Sequence, residues 1–318
     1  MIKYLFIILT SFILGCSAAQ EKSPLTVKTV LPKELKEISG ITADGSDLWA
    51  ITDKPHAKVY KLDLSGNLKQ QVEITNTEAT DVEAVACDAN YIYIGDLGDN
   101  TGDRVERKII KVAKADIKNG KDAKVTGQVI EFAFAGGGQT ESKKQNNFDC
   151  ESLLSCKDSL YVFTKDRADK ETRLFVVPKA AGKYTARFID SFNSKGLITD
   201  AAINPANNEL ALIGYHKGHK FPFIILFNNF SGNDFFSGDH KRINLADKPW
   251  DWQLEGITYG NDNNLYFSCE GTKQVAATFY GVKREDINKL NKKKTQGNGE
   301  TDDSEAPELT KKGHLKIQ

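Results

Sequence analysis

Residues 37–41 read E-I-S-G-I: an acidic residue opens a short apolar strand, and the same opening returns four more times along the chain. It is E-A-V-A from Glu83, E-S-L-L from Glu151, D-A-A-I from Asp200 and E-G-I-T from Glu255. The successive separations are about 46, 68, 49 and 55 residues, the period of a repeat that contributes one small sheet per unit. About ten residues after each opening comes a second apolar run: L-W-A-I-T-D, Y-I-Y-I-G-D, L-Y-V-F-T-K, L-A-L-I-G-Y and L-Y-F-S-C-E. Aromatic and β-branched residues fill these runs, and the Asp-Gly, Ser-Gly and Asn-Asn pairs between runs are hairpin signals. The pattern predicts an all-β fold over residues 25–288. It is a five-bladed β-propeller with four antiparallel strands per blade, and a six-bladed ring is the alternative.

The last repeat has three clear runs, G-I-T-Y, L-Y-F-S-C and A-T-F-Y-G-V. Its fourth strand is expected from L-T-V-K-T-V, Leu25 to Val30, which would close the ring and cover the open edge. A two-layer sandwich competes but leaves the acidic openings unexplained. Helices are confined to short segments such as A-D-I-K-N-G-K-D and R-E-D-I-N-K-L. The run G-G-G-Q-T-E-S-K-K-Q-N-N before Asp149 reads as a loop between blades.

Residues 1–15 read M-I-K-Y-L-F-I-I-L-T-S-F-I-L-G, one Lys and then an apolar run too short for a bilayer span, as in a signal peptide. The run ends in I-L-G-C, which resembles the bacterial lipobox and implies lipidation of Cys16, with residues 16–24 as a polar tether. A plain secretory peptide cut near S-A-A at Ser17 to Ala19 is the other reading. The expected location is the bacterial cell envelope, lipid-anchored in the outer membrane, facing periplasm or surface. Residues 289–318 are polar and are expected to be disordered. With 43 Lys and Arg against 43 Asp and Glu, nothing predicts a nucleic-acid partner. Cys87, Cys150, Cys156 and Cys269 remain after Cys16. Export permits disulfides, and Cys87 with Cys156 is geometrically feasible. Cys150 and Cys156 lie at opposite ends of one strand, roughly 20 Å apart, and cannot pair. Four small buried thiols are the competing expectation.

Inner strands of a propeller run in one direction, so their openings converge at one mouth of the channel. Glu37, Glu83, Glu151, Asp200 and Glu255 are therefore the candidate metal ligands. The second strand runs back towards the same mouth, which adds Asp53, Asp96, Lys165, His216 and Glu270. The G-D-L-G-D-N segment adds Asp99 and Asn100, followed by Arg104. Carboxylates gathered in one cavity repel unless cations compensate. A hard cation such as calcium, or internal partners such as Lys165, Arg104 and Arg167, would do so. Acids that merely hydrogen-bond backbone N–H groups of neighbouring blades are the bland alternative. Trp250 and Trp252 precede Glu255 and either line the mouth or pack between blades. No G-x-S-x-G motif and no recognised His cluster supports a nucleophilic hydrolase.

The motifs E-I-S-G-I, D-V-E-A-V-A, I-G-D-L-G-D-N with Arg104, E-S-L-L with L-Y-V-F-T-K, and L-E-G-I-T-Y with S-C-E resemble a family of secreted bacterial β-propeller lipoproteins. More distantly, the chain is similar to the SdiA-regulated propellers and to the phytase-like and gluconolactonase-like calcium propellers. The resemblance covers about Glu37 to Lys283. It implies calcium at the inner-strand openings, here Glu37, Glu83, Glu151, Asp200 and Glu255. This chain differs from the lactonase type in carrying acids at all five. The expected function is calcium-assisted binding of an anionic or sugar-like ligand at the channel mouth, Lys165 favouring an anion. The enzymatic version is phosphoester or lactone hydrolysis. The other class is a non-catalytic binding or scaffolding module, with an envelope protein as partner.

Overall fold

A computed structural model describes residues 25–120, 122–136, 145–216, 218–245, 252–273 and 275–294. The expected signal segment, Cys16 and the expected tether, Trp250, most of the Gly136 loop and the tail from 295 lie outside them. Among the described residues the protein is built from strands and a few short 3-10 segments, Lys33–Leu35, Lys114–Asp116 and Arg284–Lys294.

The first strand, β1 (Thr26–Val30), is set apart from the first meander, β2 (Ile38–Asp44), β3 (Asp47–Thr52), β4 (Lys58–Asp63) and β5 (Leu68–Ile74). Gly45, at φ 64°, makes the hairpin turn from β2 to β3, a conformation that glycine adopts without strain. The second meander is β6 (Val82–Cys87), β7 (Tyr91–Asp96), β8 (Glu106–Ala113) and, after the short β9 (Ala123–Val125), β10 (Gln128–Phe134). The third is β11 (Cys150–Cys156), β12 (Ser159–Thr164), β13 (Thr172–Pro178) and β14 (Gly182–Phe192). The fourth is β15 (Leu197–Asn204), β16 (Glu209–His216), β17 (Lys220–Asn228) and β18 (Asp239–Asn244). The last is β19 (Leu254–Tyr259), β20 (Leu265–Cys269) and β21 (Thr278–Val282), with β1 antiparallel on β21 as its outer strand.

The strands β2, β6, β11, β15 and β19 pack each on the next, and β19 packs back on β2. They are buried on both faces, as in β19 where every residue is buried, so they read as continuous apolar runs. Outer strands such as β5 alternate buried and part-exposed residues. Five apolar clusters fill the seams between neighbouring meanders. Trp49, Ile51 and Val72 meet Val85 and Ile94 across one seam, and Ile213 and Ile224 meet Phe267 and Tyr280 across another. Ile41 and Leu48 meet Tyr266 and Phe279 across the seam that joins the last meander to the first. Two sheets facing each other would bury one such layer, so the sandwich alternative does not describe this chain.

The sheets depart from the simple expectation at their rims. β9 adds a fifth strand to the first meander, parallel to β5. β10 pairs in parallel with β14, fusing the second and third meanders into one sheet of eight strands. β14 is long enough, at 11 residues, to pair with β13 through one part and with β10 through the other. Both additions satisfy outer edges that would otherwise be unpaired. Cys87, Cys150, Cys156 and Cys269 are all free, so the Cys87–Cys156 bridge is not made. The last helix continues past residue 288 to Lys294, with Ile287 buried against the final seam.

Candidate functional site: an acidic channel mouth

All five inner strands carry a register break near their start. It falls between Ile38 and Gly40, Val82 and Ala84, Cys150 and Ser152, Ile198 and Asp200, and Leu254 and Gly256. Each break is a bulge that leaves one residue unpaired and re-aims its side chain. The unpaired residues are Ser39, Glu83, Glu151, Thr199 and Glu255, and they form the true ring. Two of them clip the next strand: Ser39 Oγ donates to Val82 O at 3.0 Å and Thr199 Oγ1 to Leu254 O at 2.6 Å. The other three, Glu83, Glu151 and Glu255, are buried side chains that line a cavity of about 280 Å³.

Two of the expected ring residues are out of register with the others. Glu37 lies two residues before the bulge, so it keeps to the same side of the strand but sits higher, half-exposed and 3.3 Å from Lys54. Its counterparts in the next two strands are Asp81 and Asp149, and in the last strand Gln253. Asp200 lies one residue past the bulge, and a one-residue step turns a side chain to the other face. It is buried outside the cavity, accepting N–H bonds from Ala201 and Ile257 at 2.8 Å each and a further one from Ile41. Its counterparts are the small residues Gly40, Ala84, Ser152 and Gly256, so Asp200 alone ties three inner strands together.

The same counting sorts the second strands. The residue that reaches the mouth follows the partner of the one just before the bulge, which gives Asp53, Leu97, Lys165, Tyr215 and Glu270. Asp53, Lys165, Tyr215 and Glu270 line the cavity. Asp96 falls one residue short and is wholly buried behind it, accepting from the Asp81 N–H at 3.0 Å and pairing with Arg104 at 2.9 Å. His216 falls one residue beyond, beside Arg242 at 3.1 Å and among Phe221 and Phe223. Asp99 is also structural: its Oδ1 accepts from the N–H groups of Gly102, Asp103 and Arg104, and its Oδ2 from Arg107 at 2.8 Å. Asn100 does line the cavity, where its Oδ1 accepts from Arg167 at 2.5 Å. His219 and Gln253 are lining residues with no counterpart among the expected ones. Trp252 packs on Phe267 and Tyr280 instead of the mouth.

Six carboxylates line the cavity against the cations of Lys165 and Arg167. Lys165 donates to Glu151, and its ammonium lies 5.1 Å from the centre of the Tyr215 ring. Arg167 is committed to Asp149 through Nε at 3.0 Å and to Asn100. The Tyr215 hydroxyl donates to Glu255 at 3.2 Å, and Gln253 donates to Glu270 at 2.8 Å. Burial, then Glu151, pushes the Glu83 carboxyl well above its usual range. Glu151 and Glu255 are also raised by burial, with Lys165 pulling both down. Asp81 is raised to about 6 by burial, Asp53 and Asp149, and Glu270 to about 7 by burial, Glu255 and Asp53. Burial works against the Lys165 charge, but Glu151 and the other acids outweigh it and hold its pKa well up.

A second cavity, of about 310 Å³, opens at the far ends of the inner strands. It is lined by residues such as Ala43, Ala86, Leu153, Ala202 and Thr258, and shares none with the acidic mouth.

No protein-family model matches this chain, and no curated protein matches it at a significant level. Solved structures do align with it. A glucose dehydrogenase-type oxidoreductase of Thermus thermophilus is 9% identical, with 81% of this chain and 99% of that one covered and a TM-score of 0.42. The aldose sugar dehydrogenase of Streptomyces coelicolor, in its PQQ-bound form, is also 9% identical, over 81% and 97%, at 0.42. The hydrazine synthase of Kuenenia stuttgartiensis is 13% identical, over 76% and 79%, at 0.38. Likeness of this degree leaves the chemistry of the mouth to be read from its own residues.

Proposed function

We propose that this protein is a five-bladed propeller, exported and lipid-anchored through Cys16, that binds a sugar-like ligand together with calcium at its acidic mouth. The observation that carries this reading is the make-up of the cavity. Six carboxylates, two amides and the Tyr215 hydroxyl face one space, while the two basic groups are already engaged with acids. An anionic ligand would meet an excess of carboxylates there, with neither Lys165 nor Arg167 left uncommitted to receive it. A polyhydroxylated ligand both donates and accepts, matching carboxylates that accept and amides that do both. Calcium is the hard cation that such an oxygen-rich mouth favours. The reading is one of binding within the cell envelope. Phosphoester or lactone hydrolysis would need a metal-bound water as the attacking group.

A panel of neutral and acidic saccharides, titrated calorimetrically against the purified protein in calcium, tests it. A neutral saccharide should bind, and Tyr215→Phe and Glu255→Gln should each weaken it about tenfold, the loss of one buried hydrogen bond. Binding of no saccharide, or of acidic ones alone, would overturn the reading. Turnover of an ester or lactone panel would convert it to the hydrolytic version.

A further inference from the structure

We infer that the cation seat is Asp53, Asp81 and Glu83, on the facing sides of the first two meanders, and that Gly98 sets its size. The inference specifies the cation of the proposed mouth, but it stands on separate observations. One oxygen from each of the three carboxylates lies within 4.8 Å of the others. Two oxygens each about 2.4 Å from one calcium ion can be no farther apart than about that distance.

Glu83 supplies the second observation. It is 7% exposed and lines the cavity, yet among the described residues its carboxylate has no hydrogen-bond or ion-pair partner. The other two glutamates of the ring are provided for: Glu151 takes Lys165 and Glu255 takes Tyr215. A buried carboxylate without a donor is costly, and an ion is the partner that removes the cost.

The G-D-L-G-D-N segment builds the seat without joining it. The Asp81 carbonyl accepts the N–H groups of Leu97 and Gly98, both at 3.1 Å, and its N–H donates to Asp96. Arg104 spans Asp96 and the Gly98 carbonyl, at 2.9 and 3.0 Å, and so locks the loop against Asp81. A Cβ on residue 98 would collide with Asp81 Oδ2 and stand 2.8 Å from Glu83 Cγ. Glycine at 98 therefore leaves the room that two ligands occupy. Three carboxylates and waters complete the six to eight oxygens that calcium takes.

Calcium alone, titrated calorimetrically into chelator-treated full-length protein, tests the assignment. The expected result is one calcium per chain, with affinity reduced at least about tenfold in Glu83→Gln and in Asp81→Asn. Gly98→Ala should weaken calcium too, although it removes no ligand atom. Glu83→Gln loses a buried charge, so in chelator its melting temperature should equal or exceed the wild type's, which separates lost binding from lost folding. No calcium uptake by the wild type, or wild-type affinity in Glu83→Gln, would overturn the seat. Calcium binding without saccharide binding would overturn only the ligand proposed for the mouth, and saccharide binding without calcium only the seat.

Discussion

Glu270 shows how the mouth turns sequence into pH dependence. Burial, Glu255 and Asp53 raise it from 4.5 to about 7. A carboxyl that is easier to protonate in the fold than in the unfolded chain gives stability that is fully present below the unfolded pKa. That stability is lost as pH rises through the folded pKa. Without calcium, the melting temperature should therefore fall between about pH 4.5 and 7, with Asp81 contributing over the lower part of that window. Glu270→Gln should make the slope shallower and leave the protein at pH 8 more stable than the wild type in chelator. Equal slopes for the two proteins would show that Glu270 is not titrating in this range. The group is part-exposed, so the expected change is a few degrees and no more.

At the scale of elements, strand positions were legible in the sequence because hairpin signals and apolar runs are local. The site was legible only in part because its geometry depends on parity. An apolar strand tells where it lies, but not which residue a bulge leaves unpaired. The bulges put Ser39 and Thr199 in the ring where Glu37 and Asp200 were expected. A one-residue offset in the returning strand exchanged Leu97 for Asp96 and Tyr215 for His216. Asp81 was visible in D-V-E-A-V-A, two residues before Glu83 and so on the same side of the strand, and that spacing is the signal that could have found it. The rim pairs β5–β9 and β10–β14 could not be read, since parallel partners come from distant parts of the chain. The outer strand β1 has a testable part. It covers the edge of β21, so deleting residues 25–30 should expose that edge and shift the protein to larger species than the wild type in size-exclusion chromatography at matched concentration. A deletion that elutes and melts as the wild type does would show β1 to be dispensable.

The whole molecule is a ring joined to itself by β1 on β21, with an apolar seam between every pair of neighbouring meanders. No meander can leave without opening two seams, so unfolding should be a single transition. Calorimetric and van't Hoff enthalpies should agree, and a resolved early step would break the ring picture. Asp200 carries a different consequence. Its carboxylate spans β15, β19 and β2 between the two cavities, and every bond it makes there is to backbone. The acidic mouth and the far cavity share no lining residue, and Asp200 lines neither. The acidic mouth is therefore expected to work as a room with one door: a guest should leave by the way it came, and a newcomer should wait for it to go.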